Sequence, residues 1–366
     1  MNSRRLFALA FLILLASAYG QTLHQTSGPW VMEKSGTRAG LRGIHAVGGG
    51  VGWASGTNGT ALRTEDGGYE WQSCAMPPGA EMLDLRGIWA WDENTAIAMS
   101  SGPGDQSRLY RTTDGCSHWT LLYTNPDKDG FWDAIAFHGK ARGFLLGDPV
   151  GGRFALFFTL NRGMTWERVN APGLEAGAAR IGAFAASNSA LLLDGSGLPW
   201  FGTSGPGGPW LYTGGMSCSM AHAQTDPAGC LRSAMAFSRE ELPLAGDAAS
   251  AGIFSLGADA GMVDAVAVGG DYGKAAQTAG SAARWRSQMG QWARAAQPPH
   301  GYRSAVAWDA AAGAWIAVGT NGSDISYDDG RTWQTLDNGN WNALSLPWVV
   351  GPNGQIAKLD PDRLKR

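Results

Sequence analysis

The sequence predicts an all-β fold: a seven-bladed β-propeller of four-stranded antiparallel blades, in which the N-terminal strand completes the last blade. Three observations lead to this prediction. Glycine accounts for 54 of the 366 residues and charged residues for only 16%, against usual shares of about 7% and about 25%. A motif that ends in tryptophan returns at spacings of 47 and 48 residues. The chain also ends one strand short of a complete repeat, so its beginning must supply the missing strand.

The repeated motif has the pattern S/T-x-D-x-G-x-T-W. "SYDDGRTW" (326–333) fits it throughout, and "TEDGGYEW" (64–71) differs at Glu70. "TLNRGMTW" (159–166) has asparagine for aspartate, and "TTDGCSHW" (112–119) has Cys116 for glycine and His118 for threonine. The hydroxyl and carboxylate suit hydrogen bonds from turn N–H groups, the glycine a positive φ, and the tryptophan packing on the sheet. We assign a structural role to Thr64, Asp66, Gly68, Trp71, Thr112, Asp114, Trp119, Thr159, Asn161, Gly163, Trp166, Ser326, Asp328, Gly330 and Trp333.

Each repeat reads as four short strands, named A to D outwards from the channel. The first repeat gives "LRGIHAV", "VGWASGTNG", "ALRTEDGG" and "YEWQSC", and the second and third follow with "LRGIWAW" and "WDAIAFHG" as their first strands. A later repeat begins at "YRSAVAW". Four strands in a period of just under 50 residues are typical of a propeller blade.

The stretch between Trp166 and Trp285 has room for two repeats and an insertion at about 214–245. We place an enlarged hairpin between strands C and D of the fourth repeat at about 214–231, closed by Cys218 and Cys230. An alternative takes "TSGPGGPW" (203–210) as a degenerate motif, with the insertion after it. In the fifth repeat we expect "KAAQTAG" as strand C and "RWRSQM" as strand D, with a looser echo of the motif, "TAGSAARW", ending at Trp285.

After Trp333 only three strands follow, "NALSLP", "WVVGPNG" and "QIAKLD". Trp30 stands where a motif tryptophan would stand, so the N-terminal strand is expected beside the segment around Ile356. Closing the ring in this way removes two exposed sheet edges. Six or eight blades would require a different path through residues 200–250.

The first 20 residues are predicted to be a signal peptide. Arg4 and Arg5 precede an apolar run that ends in small residues, which is typical of secretion signals. A membrane anchor needs about 20 apolar residues, more than this run offers. The arginine pair also resembles a twin-arginine signal, so both export routes stay open. We expect a periplasmic or secreted mature chain, 21–366, without a membrane span.

The net charge limits the classes of binding partner to be expected, and the cysteine count indicates the redox compartment. The net charge of −3 gives no reason to expect nucleic acid or an anionic membrane as a partner. Four cysteines in an exported chain predict two disulfides, Cys218 with Cys230 and, by elimination, Cys74 with Cys116; free buried thiols are the alternative. No spacing between the histidines is typical of zinc ligands, so we expect no metal site. We also expect no cofactor and a monomeric protein.

Propeller geometry sorts the polar residues between two faces. The start of each strand A, the D–A connections and the B–C hairpins share one face, called the top face here. A binding funnel is therefore predicted at the top mouth of the channel. Its candidate binding residues are Arg42, Arg86, Asp133, Asp148, Asp271, Tyr272, Arg303, Asn321, Asp324 and Asn342. A rim whose charges pair with one another is the competing interpretation.

No catalytic residues are assigned. Sialidases bind a carboxylate with three arginines and use a Tyr–Glu pair, and the funnel has three arginines but no glutamate tied to a motif. Glycoside hydrolysis generally requires a placed pair of carboxylates, which Asp133, Asp148 and Asp271 could supply. A sialidase-like or BNR-repeat hydrolase is therefore the alternative function, and an oxidoreductase comes third because no nucleotide or haem motif is present.

The motif resembles the Asp-box of BNR-repeat and sialidase-like propellers. Together with "LRGI", "FWDAIAF", "GDPVGGRF", "AVGGDYGK", "VGTNGSD" and "VGPNGQIAKL", the chain is similar to exported bacterial propellers of the photosystem II stability and assembly factor family. The resemblance covers nearly all of the mature chain except about 214–245. It implies binding of a protein partner or ligand, a non-catalytic assembly or scaffolding role, and an arginine-rich contact surface. A carbohydrate-like ligand is the alternative.

Overall fold

The computed structural model describes residues 28–177, 181–218, 224–261, 263–286 and 290–364. The expected signal peptide lies outside these residues. The described residues form seven four-stranded sheets, and in each sheet all adjacent strands are antiparallel. This confirms the predicted seven-bladed propeller.

The first three blades follow the sequence repeats without interruption. Each begins at the channel and ends at the periphery, and its strands are neighbours in chain order. Blade 1 comprises β2 (Leu41–Gly48), β3 (Val51–Gly56), β4 (Ala61–Thr64) and β5 (Gln72–Ser73), blade 2 comprises β6 (Leu85–Ala90), β7 (Ala96–Ser100), β8 (Arg108–Thr112) and β9 (Thr120–Thr124), and blade 3 comprises β10 (Trp132–His138), β11 (Arg142–Val150), β12 (Arg153–Thr159) and β13 (Glu167–Arg168).

The next three blades have the same order but less regular connections. Blade 4 comprises β14 (Leu191–Leu193), β15 (Pro199–Gly202), β16 (Trp210–Met216) and β17 (Met235–Glu241), blade 5 comprises β18 (Ala251–Ala258), β19 (Asp264–Asp271), β20 (Ala282–Arg286) and β21 (Gln291–Arg294), and blade 6 comprises β22 (Ala305–Asp309), β23 (Ala314–Gly319), β24 (Gly322–Ser326) and β25 (Gln334–Asp337).

Blade 7 joins the two ends of the chain. It contains β26 (Ala343–Ser345), β27 (Trp348–Val350), β28 (Ile356–Leu359) and the N-terminal strand β1 (Trp30–Glu33). Strand β1 pairs antiparallel with β28, with Trp30 opposite Leu359 and Glu33 opposite Ile356. The predicted closure is therefore confirmed, and it covers the edge of β28 that would otherwise face solvent.

The motif turns connect strands C and D on the bottom face of blades 1, 2, 3 and 6. In each turn the hydroxyl of the Ser or Thr at motif position one accepts a hydrogen bond of 3.0 Å from the backbone N–H of position five. The Asp or Asn side chain at position three accepts a hydrogen bond from the backbone N–H of position seven. Position five has a positive φ in every turn, including Cys116 at +64°. These bonds explain the repetition, because the same turn is needed wherever strand C returns as strand D.

The insertion lies between β16 and β17. It contains a short helix, α1 (Pro227–Ser233), whose N-terminus is capped by Asp226 through a bond from the Gly229 N–H. The stretch 203–209 instead joins β15 to β16, so it is a B–C connection on the top face and not a degenerate motif.

Blade 5 differs from the predicted strand path. Strand C is Ala282–Arg286, so Trp285 lies inside it and pairs with Trp292 of strand D. The stretch "KAAQTAG" is loop, because Asp271 caps a 3₁₀ turn at Tyr272–Lys274 and ends strand B there. The looser echo of the motif is thus a coincidence of sequence.

Both predicted disulfides form, Cys74–Cys116 and Cys218–Cys230. The first joins the outer edge of blade 1 to the motif turn of blade 2 across 42 residues of chain. Within the parts of the chain that the structure describes, no helix has the length and hydropathy needed to cross a membrane.

Removal of the Cys74–Cys116 bridge should destabilise the ring. We expect Cys74→Ala/Cys116→Ala to lower the free energy of unfolding by about 2–4 kcal/mol, as for other loops of this size. Because position 116 has a positive φ, Cys74→Ala/Cys116→Gly should be more stable than the double alanine variant by about 1 kcal/mol. Guanidinium denaturation of the three proteins measures both differences. Equal stability of the two variants would contradict a strained backbone at position 116.

Candidate functional site

A cavity of about 310 Å³ lies at the top mouth of the central channel. Blades 1, 2, 4, 5, 6 and 7, with their top connections, contribute to its wall, so the closed ring itself builds the cavity. The predicted residues Arg42, Arg86, Tyr272 and Asn342 line it together with Phe184, Ala185, Ala186, Phe254, Tyr302, Ser304 and Thr320. This cavity is called the funnel below.

One side of the funnel carries two arginines. Arg86 forms an ion pair with Asp84, its Nε lying 2.8 Å from the carboxylate, and donates a further bond to the Ala185 carbonyl. The Nε of Arg42 is buried and has no hydrogen-bond partner among the described residues. Burial and the neighbouring Arg86 lower the pKa of Arg42. The pair therefore carries more positive charge than Asp84 balances, as in a site for an anionic group.

The other side is an aromatic wall. Phe184 and Phe254 stack with ring centroids 3.6 Å apart, and Tyr302 meets Phe254 edge to face at 4.7 Å. Tyr272 packs against the other rings and remains 54% exposed at the rim. Such a wall offers an apolar surface on which a planar or aliphatic group can pack. Phe184 could have been found from the sequence only by following the irregular start of blade 4.

A second cavity, of about 580 Å³, opens on the top face beside the funnel. Its wall includes Asp148, Pro149, Ile181 and Ser204, and Phe184 is shared with the funnel. The two cavities are therefore neighbours with Phe184 between them, and together they extend from the channel mouth outwards over blades 3 and 4. An elongated ligand fits this shape better than a compact one.

Arg303, Asp324 and Asn321 do not line the funnel, in contrast to the sequence prediction. Arg303 is fully buried and Asp324 nearly so. The guanidinium donates to Asp324 from Nε at 2.6 Å and to the Asn321 side chain at 2.8 Å, and His300 lies 2.8 Å from both partners of the ion pair. This buried network holds the B–C hairpin of blade 6 beneath the funnel rim.

The remaining acidic candidates also turn inwards. Asp271 is buried, caps the 3₁₀ turn that positions Tyr272, and lies 3.8 Å from the Lys274 ammonium. Asp133 is buried in the wall of blade 3 and leaves Oδ2 without a partner. Asp148 accepts a hydrogen bond from the Ala183 N–H. No ion pair links Arg42 or Arg86 to Asp133 or Asp148 among the described residues.

Burial raises the pKa of Asp133 well above its usual range, and the neighbouring Asp148 carboxylate adds to the effect. Burial also raises the pKa of Asp148. The two carboxyl groups therefore hold protons more tightly in the folded chain than in the unfolded one. Among the described residues no group of three or more metal-ligating side chains could hold a metal ion.

Asp133→Asn should stabilise the protein at neutral pH. A raised folded-state pKa costs folding free energy as the pH rises from the unfolded value near ~3.9 through the folded value. We expect the variant to gain about 1 kcal/mol or more at pH 7, because it replaces a buried carboxyl whose ionisation the fold opposes, and to equal the parent below pH ~3.5. Denaturant unfolding across this pH range measures the gain. A constant difference at all pH values would contradict a titrating Asp133.

No protein-family model and no curated protein sequence matches the chain. Solved structures do match. One, described as YCF48 bound to D1 peptide, has 16% identity and a TM-score of 0.61 and covers 90% of this chain and 96% of its own. YCF48 from Cyanidioschyzon merolae has 16% identity and a TM-score of 0.60 over 91% and 99%.

The likeness establishes the fold. The predicted resemblance to propellers of the photosystem II assembly factor type is confirmed at this level. A GH74 xyloglucanase from Xanthomonas campestris has 13% identity and a TM-score of 0.56, covering 91% of this chain and 54% of its own. At such identities these structures share an architecture with the chain, and the funnel residues must be interpreted on their own chemistry.

Proposed function

We propose that the chain is an exported, non-catalytic propeller that binds a segment of a protein partner at its top face in an assembly or scaffolding role. One observation carries the proposal: the funnel opposes two arginines, one with an unpartnered buried Nε, to a wall of four aromatic rings. An extended peptide with an acidic group and an apolar side chain satisfies both sides.

The groove beyond the funnel supports a peptide over a compact ligand. Gly152, Gly177, Gly182 and Gly205 line the second cavity, so backbone groups there are not screened by side chains. A chain anchored in the funnel can pass Phe184 and lie along this glycine-rich surface. The YCF48 structure bound to a D1 peptide shows that a propeller of this architecture binds a peptide.

Export is supported by two independent features. The basic and apolar N-terminal sequence is typical of a secretion signal, and two disulfides form between all four cysteines. Disulfides persist in oxidising compartments such as the periplasm. We therefore propose a periplasmic or secreted protein.

Selection from a displayed random peptide library tests the binding proposal. We expect the purified protein to enrich peptides that combine an acidic residue with an aromatic or aliphatic one, and Arg42→Glu/Arg86→Glu to lose this enrichment by more than tenfold. The matched control is Lys140→Glu/Arg331→Glu, which makes the same charge change at two exposed positions of the bottom face. Equal enrichment by both double variants would place the binding surface elsewhere.

Glycoside hydrolysis is the second candidate, favoured by the neighbouring carboxyls of Asp133 and Asp148 with their raised pKa values. Hydrolases pair a protonated and an ionised carboxyl, and Asp148 reaches the second cavity. A screen with chromogenic glycosides and oligosaccharides separates the two candidates. Turnover that Asp148→Asn abolishes would replace the binding role with a catalytic one.

A further inference from the structure

A tryptophan-lined groove lies between blades 4 and 5, away from the funnel. It encloses a cavity of about 340 Å³. The two blades contribute Trp200, Thr213 and Glu240 on one side and Trp285 and Trp292 on the other, and Asp194 closes one end. These six residues define the groove discussed below.

Strand pairing explains why these side chains meet. In blade 4, Trp200 of β15 is the cross-strand partner of Thr213 in β16. Leu211, two residues before Thr213 in β16, is the cross-strand partner of Glu240 in β17. All of them therefore lie on the face that packs against blade 5. In blade 5, Trp285 and Trp292 are direct cross-strand partners on the facing surface.

The interface is filled at one end and open at the other. Leu211, Ile253, Ala267 and Ala283 form part of a buried apolar cluster between the blades. Beyond this cluster, Thr213 is too small to reach across, and the three tryptophans are only partly buried. Part of each indole therefore borders the cavity. Trp285 and Trp292 are inclined by 48° with centroids 6.1 Å apart, so they form two sides of a cage.

The charged residues that line the groove are both acidic. Arg294 lies on the same face as Trp292 outside the lining, where its Nε donates to the Pro243 carbonyl. Asp194 and Glu240 line it, and its described lining contains no lysine, arginine or histidine. Strand alternation places Arg284 and Arg286 on the opposite face from Trp285. The Trp292 indole donates a hydrogen bond to Glu240, which fixes the carboxylate beside the ring, and partial burial raises the pKa of Glu240.

We propose that this groove binds an organic ammonium ion, such as a trimethylammonium group. The indole faces attract a cation through their quadrupoles, and aromatic cages are the known solution for quaternary ammonium groups. The two carboxylates add charge complementarity, and the cavity is wide enough for a small ligand. A neutral sugar would stack on the rings but gain nothing from the negative charge.

The test compares choline with 3,3-dimethylbutan-1-ol, in which a tert-butyl group replaces trimethylammonium. We follow the methyl proton resonance by NMR during titration with the disulfide-bonded protein. Choline should saturate with an upfield ring-current shift and bind about tenfold more tightly than the neutral analogue. Glu240→Gln should weaken binding severalfold, Trp292→Leu should reduce the upfield shift, and Arg42→Glu/Arg86→Glu should change neither.

Glu241→Gln is the matched control, because Glu241 is the next residue of the same strand and points to the other face. It should leave choline binding unchanged. Equal affinity for choline and its neutral analogue would reduce the groove to an apolar cleft. Saturable binding of cellohexaose without choline binding would show that the groove binds a neutral glycan. Absence of saturable binding of either ligand would show that the groove is not a binding site.

Discussion

Trp30→Ala is expected to lower the free energy of unfolding by about 3–5 kcal/mol. Trp30 is 1% exposed, donates its indole N–H to the Ser323 hydroxyl of blade 6 at 2.9 Å, and packs near Trp341 at 6.1 Å between centroids. It therefore ties the N-terminal strand to blade 6 as well as to its own blade. Loss of this anchor leaves a cavity at the seam where the ring closes.

Val31→Ala is the control for the same strand. Its side chain is 42% exposed, so its loss should change the free energy of unfolding by less than about 0.5 kcal/mol. Guanidinium denaturation followed by far-ultraviolet circular dichroism compares the two variants. If both variants were equally stable, the N-terminal strand would not contribute to closure as the structure indicates.

Arg303→Met should have an effect of similar size, a loss of about 3–5 kcal/mol, because it leaves the Asp324 charge buried without its partner. The double variant Arg303→Met/Asp324→Asn removes both charges and should recover part of the loss. The comparison separates the cost of an uncompensated charge from the loss of packing. A double variant less stable than Arg303→Met would show that hydrogen bonds of Asp324 to other groups outweigh the charge.

The same pair also supports the funnel. Arg303 donates to the Tyr302 carbonyl and to Asn321, and Tyr302 and Thr320 beside them line the cavity. We expect Arg303→Met to weaken peptide binding in addition to stability. Arg86→Met removes a partly exposed ion pair and should cost less than about 1 kcal/mol of stability. A loss of peptide binding in Arg86→Met would then reflect the lost contact with the peptide and not a loss of stability.

Much of the candidate site could be predicted from strand order alone. Arg42, Arg86, Asn342 and Tyr272 were placed at the channel mouth because each begins a strand A or follows a strand B, and strand order fixes the face. Burial could not be predicted in this way. Arg303 occupies the same sequence position in its repeat as Arg42. Arg303 is nevertheless buried, because it forms an ion pair with Asp324 on the B–C hairpin of its own blade.

Aromatic partners were harder to predict than charged ones. Phe184 precedes a strand that has only three residues, Leu191–Leu193, so no periodicity indicates where its ring points. The tryptophan groove was missed because the sequence predicts Trp285 in strand D of blade 5, whereas it lies within strand C. Because the prediction was shifted by one strand in that blade, it did not place Trp285 opposite Trp292.

The sequence by itself determined the repeat and the seam between the two chain ends, and it predicted the blade count and the disulfide pairing that the structure then confirmed. These follow from local rules: a turn requires a hydroxyl, a carboxylate and a residue of positive φ, and a strand edge requires a partner. Only the tertiary structure decided which polar groups face the ligand and which neutralise one another. That choice depends on distances between residues far apart in the chain, because a charge remains accessible only where no opposite charge lies close enough to bury it.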